Sequence, residues 1–80
     1  MATFPLTVAK LDEVLFRGNA DEVILPGEAG EMAVLAHHMP LVTLLKEGVV
    51  RVKHGGKEES FPIKGGTAEI NSREVTVLVR

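Results

Sequence analysis

Residues 49–64, VVRVKHGGKEESFPIK, form two strand-like segments on either side of Gly55-Gly56. Valines alternate with polar residues on the first arm, and a period of two is typical of a β-strand with one buried face. Two consecutive glycines supply the positive φ angles that a two-residue hairpin turn requires. The stretch therefore predicts a β-hairpin whose arms bring four apolar side chains to face each other: Val50, Val52, Phe61 and Ile63.

Similar short segments occupy the rest of the chain. Apolar or alternating runs are separated by glycine-, proline- and asparagine-containing dipeptides, which favour turns. The predicted turns include Gly18-Asn19, Pro26-Gly27, Gly65-Gly66 and Asn71-Ser72. Short strands without an amphipathic helix predict a single all-β domain over residues 1–80. We expect a flattened antiparallel β-sandwich of about 8 to 10 short strands.

Length and composition limit what such a domain can do. A chain of 80 residues buries about three-fifths of its surface and has one core. Lys and Arg total 9 against 11 Asp and Glu, and Trp and Tyr are absent. Nucleic-acid partners are therefore not expected, because they require many cations and stacking rings. The absence of cysteine excludes disulfides and thiolate chemistry.

The polar residues do not form a recognisable catalytic pattern. Glu28 and Glu31 lie in a predicted turn, where solvated carboxylates are more plausible than an acid/base pair. His37 and His38 are adjacent and point in opposite directions on extended backbone, so they do not match zinc-ligand spacing. Neither serine has a nucleophile-elbow context. We predict no catalytic residue, metal or cofactor.

Several strands are apolar on both faces, which exceeds the need of one buried sheet face. The clearest cases are residues 14–16, 41–45 and 75–79. Either these side chains complete the core of a small barrel, or one outer face is covered by a partner. Burial of a patch of about 600 Å² contributes on the order of 15 kcal/mol before the costs of association, so a partner is plausible.

The order of motifs along the chain resembles a known family, the N-terminal β-sandwich domain of the epsilon subunit of F-type ATP synthase, called delta in mitochondria. The resemblance covers nearly the whole chain. It rests on these blocks: Phe16-Arg17-Gly18, residues 21–27, Gly30-Glu31, residues 38–43, residues 46–52, Gly65-Gly66, Glu69 and residues 75–78.

The resemblance implies a non-catalytic rotor part that joins the gamma subunit to the membrane ring of c subunits. Glu31 matches an acidic position that faces the ring, and Glu28 is its neighbour. Lys10, His38 and Thr43 match positions near gamma. Apolar character extends the expected gamma-facing set to Leu41 and Val42. The implied location is peripheral to an energy-transducing membrane, on the cytoplasmic side in a bacterium.

The sequence departs from the family pattern in two respects. His37 stands where the family commonly has glycine, and Ala33 also replaces a frequent glycine. The C-terminal helical hairpin of longer members, with its inhibitory and nucleotide-sensing behaviour, is not expected in a chain that stops at Arg80. The alternative function is a free-standing β-sandwich module that binds a peptide or small ligand.

Overall fold

The computed structural model describes residues 2–80, and these residues form β-strands without a helix. The prediction of an all-β fold with 8 to 10 strands is confirmed. The nine strands are β1 (Phe4–Lys10), β2 (Glu13–Ala20), β3 (Glu22–Gly27), β4 (Gly30–Leu35), β5 (Leu41–Leu45), β6 (Gly48–His54), β7 (Lys57–Ile63), β8 (Gly66–Ile70) and β9 (Val75–Val79).

The strands form two layers packed around a shared core. One layer, the five-stranded layer, has the order β2-β1-β9-β8-β5, and the other, the four-stranded layer, has the order β4-β3-β6-β7. Strand β3 joins the layers, because residues 22–24 pair with β6 and Gly27 pairs with Leu45 of β5. The molecule measures 31 × 23 × 20 Å.

One strand pair departs from the predicted antiparallel arrangement. Strands β1 and β9 are parallel, with Leu6 opposite Val75 and Val8 opposite Val77. Tight turns impose antiparallel pairing only on strands that are neighbours in sequence, whereas parallel strands need a long connection. The rest of the chain supplies that connection between the first and last strands.

The hairpin at Gly55-Gly56 is confirmed. Strands β6 and β7 are joined by these two residues, whose φ angles are 56° and 78°. Positive φ at both central positions is the geometry that matches the twist of the flanking strands. Val50 lies directly opposite Phe61, as predicted, but Val52 faces Glu59 rather than Ile63.

Two predicted turns are wrong. Strand β2 continues through Gly18-Asn19, since Leu6 and Pro5 of β1 pair with these residues. Strand β3 continues through Pro26-Gly27, and the turn lies at residues 28–29. Pro26 stands between the residues that pair with β6 and the residue that pairs with β5, a break in the ladder of the kind that accommodates proline.

The core is aliphatic and receives side chains from both layers. Its largest fully buried members are Leu6, Leu25, Val8, Val23, Val50, Val52, Val75 and Val77. Full burial of each such side chain contributes about 1.5–3 kcal/mol. A register shift between Val8 and Ala9 sets Val14 and Phe16 of β2 opposite consecutive β1 residues. This bulge explains why residues 14–16 are apolar throughout.

Candidate interaction surface

The outer face of the five-stranded layer carries exposed aliphatic side chains. Val42 is 69% exposed, Leu44 is 55% and Leu78 is 54%, while Val14 at the far strand is 49% exposed. Leu11, in the turn that follows β1, is fully exposed. The expected surplus of apolar surface is therefore present. Val42 and Leu44 are neighbours on one face of β5, and exposed apolar surface of this kind is typical of interaction sites.

Strand alternation places these side chains outside. Leu78 lies between Val77 and Val79, which are both buried, and successive residues of a strand point to opposite faces. Leu44 likewise precedes buried Leu45 on β5. Strands β5 and β9 therefore supply aliphatic residues both to the core and to the surface.

The five residues predicted to face gamma do not share one face. Val42 lies on the outer face. Thr43 points to the inner side, because its row contains buried Ala68 and Val77. Leu41 shares that inner side, at the border of the layer, and is 46% exposed.

Lys10 and His38 lie at opposite ends of the five-stranded layer. Lys10 is exposed at the end of β1, whereas the His38 ring makes an edge contact with Phe4 at the start of β1, with centroids 5.6 Å apart. The length of β1 separates these ends by about 20 Å. His38 Nδ1 is buried without a hydrogen-bond partner in the described part of the chain.

His37 carries the backbone geometry of a glycine. Its φ is 66°, the one positive value among the non-glycine residues 2–80. The left-handed region costs an L-residue about 1–2 kcal/mol. His37 therefore adopts the backbone conformation that glycine adopts at no such cost, although the glycine common in the family is replaced at this position.

The two predicted ring-facing carboxylates lie in different settings. Glu28 is exposed in the β3–β4 turn, and its N–H donates to the carbonyl of Leu44 at 2.9 Å. Glu31 lies within β4 rather than in the turn. Its Oε1 accepts a hydrogen bond from Arg51 Nη2 at 3.1 Å, and its side chain is 65% exposed. Glu28 thus borders the apolar face, whereas Glu31 belongs to the outer face of the four-stranded layer.

That second outer face carries charged pairs together with exposed aliphatic side chains, Leu35 at 55% and Val49 at 45% exposure. His54 Nε2 lies 2.6 Å from Glu59 on the inner side, because His54 alternates with buried Val52 and its ring contacts Phe16 of β2. Beside the Arg51–Glu31 pair on the outer face, Lys53 Nζ lies 3.4 Å from Glu22. A depression of about 390 Å³ opens beside this face. Its lining residues are Ala2, Asp21, Glu22, Leu35, Ala36, His37 and Lys53.

Within residues 2–80, no group of three side chains is arranged to hold a metal ion. The same residues contain no helix with the length and hydropathy needed to cross a bilayer.

Sequence reasoning did not single out Leu11, Leu44 and Leu78 as surface residues. Their alternation with other apolar residues shows that some aliphatic side chains must point outward. The choice of face depends on which layer packs against the strand, and that contact is remote in sequence. The full exposure of Leu11 has a simpler signal, because a leucine before Asp12-Glu13 falls between two predicted strands.

The fold and its surface define a class: a small two-layer β-sandwich with exposed aliphatic side chains on the outer face of its larger layer. The chain belongs to the family described as ATP synthase, Delta/Epsilon chain, beta-sandwich domain, whose sequence model matches residues 3–80. The family resemblance drawn from the ordered motifs is thereby confirmed.

Curated relatives support this membership. The ATP synthase epsilon chain of Synechococcus sp. (strain CC9902) is 45% identical over 74 residues, which cover 92% of this chain and 54% of the relative. The epsilon chain of Rhodopseudomonas palustris (strain BisB5) is 37% identical over 78 residues, covering 98% and 58%. This chain thus spans little more than half the length of the relatives it matches.

Solved structures show the same fold. A chain in the Euglena gracilis mitochondrial ATP synthase, described as OSCP/F1/c-ring in rotational state 1, matches with a TM-score of 0.91 and 30% identity. That match covers 99% of this chain and 51% of the other. A chain in the central stalk/c-ring structure of Tetrahymena thermophila mitochondrial ATP synthase has a TM-score of 0.81 at 8% identity, covering 98% and 63%. The second likeness concerns the fold alone.

Proposed function

We propose that this domain is a non-catalytic part of the rotor of an F-type ATP synthase. It joins the gamma subunit of the central stalk to the ring of c subunits, so that ion-driven rotation of the ring reaches the catalytic head. Family membership supports this proposal, and so does the likeness to a chain from an assembly that contains F1 and the c-ring.

The apolar outer face of the five-stranded layer is the observation that carries the proposal. Val42, Leu44 and Leu78 each expose more than half of their surface on a paired sheet. Completing the burial of one such side chain contributes about 1 kcal/mol. A hydrogen-bonded sheet is also stiff, as a part that transmits torque must be.

The contact residues of this function follow the family resemblance. Lys10, His38, Leu41, Val42 and Thr43 contact gamma. Since Val42 is the member of this set on the outer face, the gamma contact includes that face and the strand ends on either side of it.

Glu28 and Glu31 contact the polar loops of the ring. When Glu31 makes this contact, its ion pair with Arg51 is broken. The domain is peripheral to the energy-transducing membrane, on the cytoplasmic side in a bacterium, and reaches the membrane through the ring.

Isothermal titration against the gamma subunit from the same organism tests the proposal. We expect a complex with a dissociation constant below about 1 μM, which corresponds to about −8 kcal/mol. The absence of heat and of co-elution at tens of micromolar would overturn it. Specific binding of a small ligand in the depression beside Leu35 would instead support the alternative of a free-standing module.

The ring contact has a separate test. In reconstituted enzyme, Glu28→Lys and Glu31→Lys are expected to lower ATP-driven ion pumping relative to ATP hydrolysis. Glu58→Lys at the β6–β7 hairpin makes the same charge change at a distance from both residues and serves as the control. Equal coupling ratios in all three variants would contradict the ring assignment.

A further inference from the structure

The outer face of the five-stranded layer contains two rows of side chains that cross the strands in the order β5, β8, β9, β1 and β2. Cα partners connect each strand to the next, so the residues of one row lie at the same level along the strands. The first row contains Leu44, Thr67, Leu78, Ala9 and Val14. The second row contains Val42, Glu69, Thr76, Thr7 and Arg17.

Two opposite charges lie in the second row. Glu69 is on β8 and Arg17 is on β2, and both side chains are exposed. Three strand spacings separate the two residues by about 14 Å. Among residues 2–80, neither side chain belongs to an ion pair. The face therefore carries one negative and one positive group that the chain itself does not pair.

The first row combines a projecting side chain with a hollow beside it. Leu78 is 54% exposed, and its neighbour Ala9 on β1 is much smaller. A depression of about 340 Å³ lies at Ala9, with Leu78 and Leu11 in its lining. A leucine that projects next to a hollow can fill the same hollow on an identical surface.

One two-fold axis satisfies the charges and the relief together. The axis is parallel to the strands and passes between β1 and β9. It leaves each row at its own level and reverses the strand order, so that β9 faces β1 of a second copy and β8 faces β2. Leu78 then lies over the hollow at Ala9 of the second copy, and Glu69 lies opposite Arg17 of the second copy.

Two-fold symmetry repeats each of these contacts. In an isologous interface, a contact from residue i to residue j is accompanied by the contact from j to i. Two aligned sheets pack about 10 Å apart, with their strands within about 30° of each other. A glutamate and an arginine that extend toward each other span this distance.

We propose that the free domain forms a two-fold symmetric homodimer through the outer face of its five-stranded layer. Leu78 of each copy packs into the hollow at Ala9 of the other, and Glu69 of each copy pairs with Arg17 of the other. The apolar contact supplies the attraction, and the charge pairs fix the register. The pairing is a property of the domain alone and does not rest on the gamma contact.

The size of the overlap makes this a weak dimer. Four facing strands are about 19 Å wide and about 20 Å long, which gives an overlap of about 400 Å² per copy. Stable interfaces bury about 800 Å² per partner. We therefore expect a dissociation constant on the order of 100 μM.

Sedimentation equilibrium between 10 μM and 1 mM tests the dimer. For the wild-type chain, the weight-average mass should rise with concentration from that of one chain toward that of two. A mass that stays at one chain up to 1 mM would overturn the proposal, and so would growth beyond two chains.

Charge exchange tests the register. Arg17→Glu and Glu69→Arg each place like charges opposite one another in both contacts, and each should weaken dimerisation at least tenfold. An equal mixture of the two single variants restores opposite charges in both contacts, and so does the double variant Arg17→Glu/Glu69→Arg. Both should regain the wild-type affinity. Lys57→Glu and Glu58→Arg make the same charge changes at exposed positions on β7 and should leave the affinity unchanged.

Filling the hollow tests the apolar contact. Ala9→Leu adds apolar surface but removes the space that Leu78 of the second copy occupies, so it should weaken the dimer about tenfold. Ser60→Leu adds a similar side chain to the outer face of the four-stranded layer and is the control. Stronger association of Ala9→Leu would show that the face is adhesive without a defined fit, and would overturn the inference.

Failure of both the mixture and the double variant to recover would overturn the pairing of Glu69 with Arg17. Circular dichroism of each variant shows whether it is folded, and the double variant keeps the net charge of the wild type. All of these measurements are made without gamma, so a negative result leaves the proposed function standing. Failure of the wild-type chain to bind gamma counts against the proposed function and leaves the dimer standing.

Discussion

The outer faces of the two layers differ in chemistry, although both layers contribute to the same core. The five-stranded layer exposes Val42, Leu44 and Leu78, with Thr67 between the two leucines. The outer face of the four-stranded layer also exposes Leu35 and Val49, but it sets them beside charged pairs such as Arg51–Glu31 and Lys53–Glu22. Core packing requires only one apolar face per layer, the inner one. It therefore does not account for the difference between the two outer faces. The charged pairs of the four-stranded layer are the reason for placing the proposed gamma contact on the five-stranded layer.

The largest effect should come from the inner side of the five-stranded layer. Leu6→Ala removes a side chain that is 2% exposed and is expected to cost about 3 kcal/mol of unfolding free energy. Leu78→Ala, on a strand paired with β1, should change stability by less than about 0.5 kcal/mol. Urea denaturation measures both. Equal losses would mean that Leu78 belongs to the folding core and that the contrast between the faces is wrong.

The next effect concerns binding. Leu78→Asp places a charge in the middle of the apolar face and should weaken association with gamma about 30-fold, equivalent to about 2 kcal/mol. Ser60→Asp places the same charge on the outer face of the four-stranded layer and should leave the affinity unchanged. Titration calorimetry compares them. A reversed order would move the partner to the other face.

A smaller effect is expected where the chain passes from one layer to the other. His37 lies between β4 and β5 with its φ at 66°, so His37→Gly should stabilise the domain by about 1 kcal/mol. Ala36→Gly, at a neighbour without positive φ, should destabilise it by about 0.5–1 kcal/mol. Thermal unfolding distinguishes the two signs. Destabilisation by both would show that the His37 side chain has a structural role that outweighs its backbone strain.

The smallest effect belongs to the charged face. Arg51 and Glu31 have side chains that are 38% and 65% exposed, and solvent screening limits such pairs to less than about 1 kcal/mol. A double-mutant cycle with Arg51→Ala and Glu31→Ala should therefore give a small coupling energy that declines in 1 M salt. A coupling above about 2 kcal/mol would make this face a stability element comparable to the core.

Local sequence was a good guide where one turn decides the structure. Gly55-Gly56 supplied both positive φ angles, and the hairpin could be predicted. Gly18-Asn19 has equally strong turn character, yet it lies inside β2, because pairing along the whole of β1 outweighs local preference.

The arrangement of side chains on the outer face of the five-stranded layer could not be predicted in the same way. It depends on the register between Leu44, Thr67 and Leu78 and on the parallel contact of Leu78 with Ala9, which joins the two ends of the chain. Alternation within one strand carries no information about its neighbours. The predicted gamma-facing set accordingly included Val42, Leu41 and Thr43 together, although consecutive strand residues point to opposite sides.

The parallel contact between β1 and β9 also bears on how the domain is made. Strand β9 is hydrogen-bonded on one side to β8 and on the other to β1, so it occupies the centre of its layer. During synthesis, β1 leaves the ribosome first but remains without its inner neighbour until Val75–Val79 has emerged. Completion of the layer therefore waits for the last strand. Such end-to-end pairing raises the contact order and slows folding, and the nascent chain meanwhile exposes strand edges that are prone to aggregate.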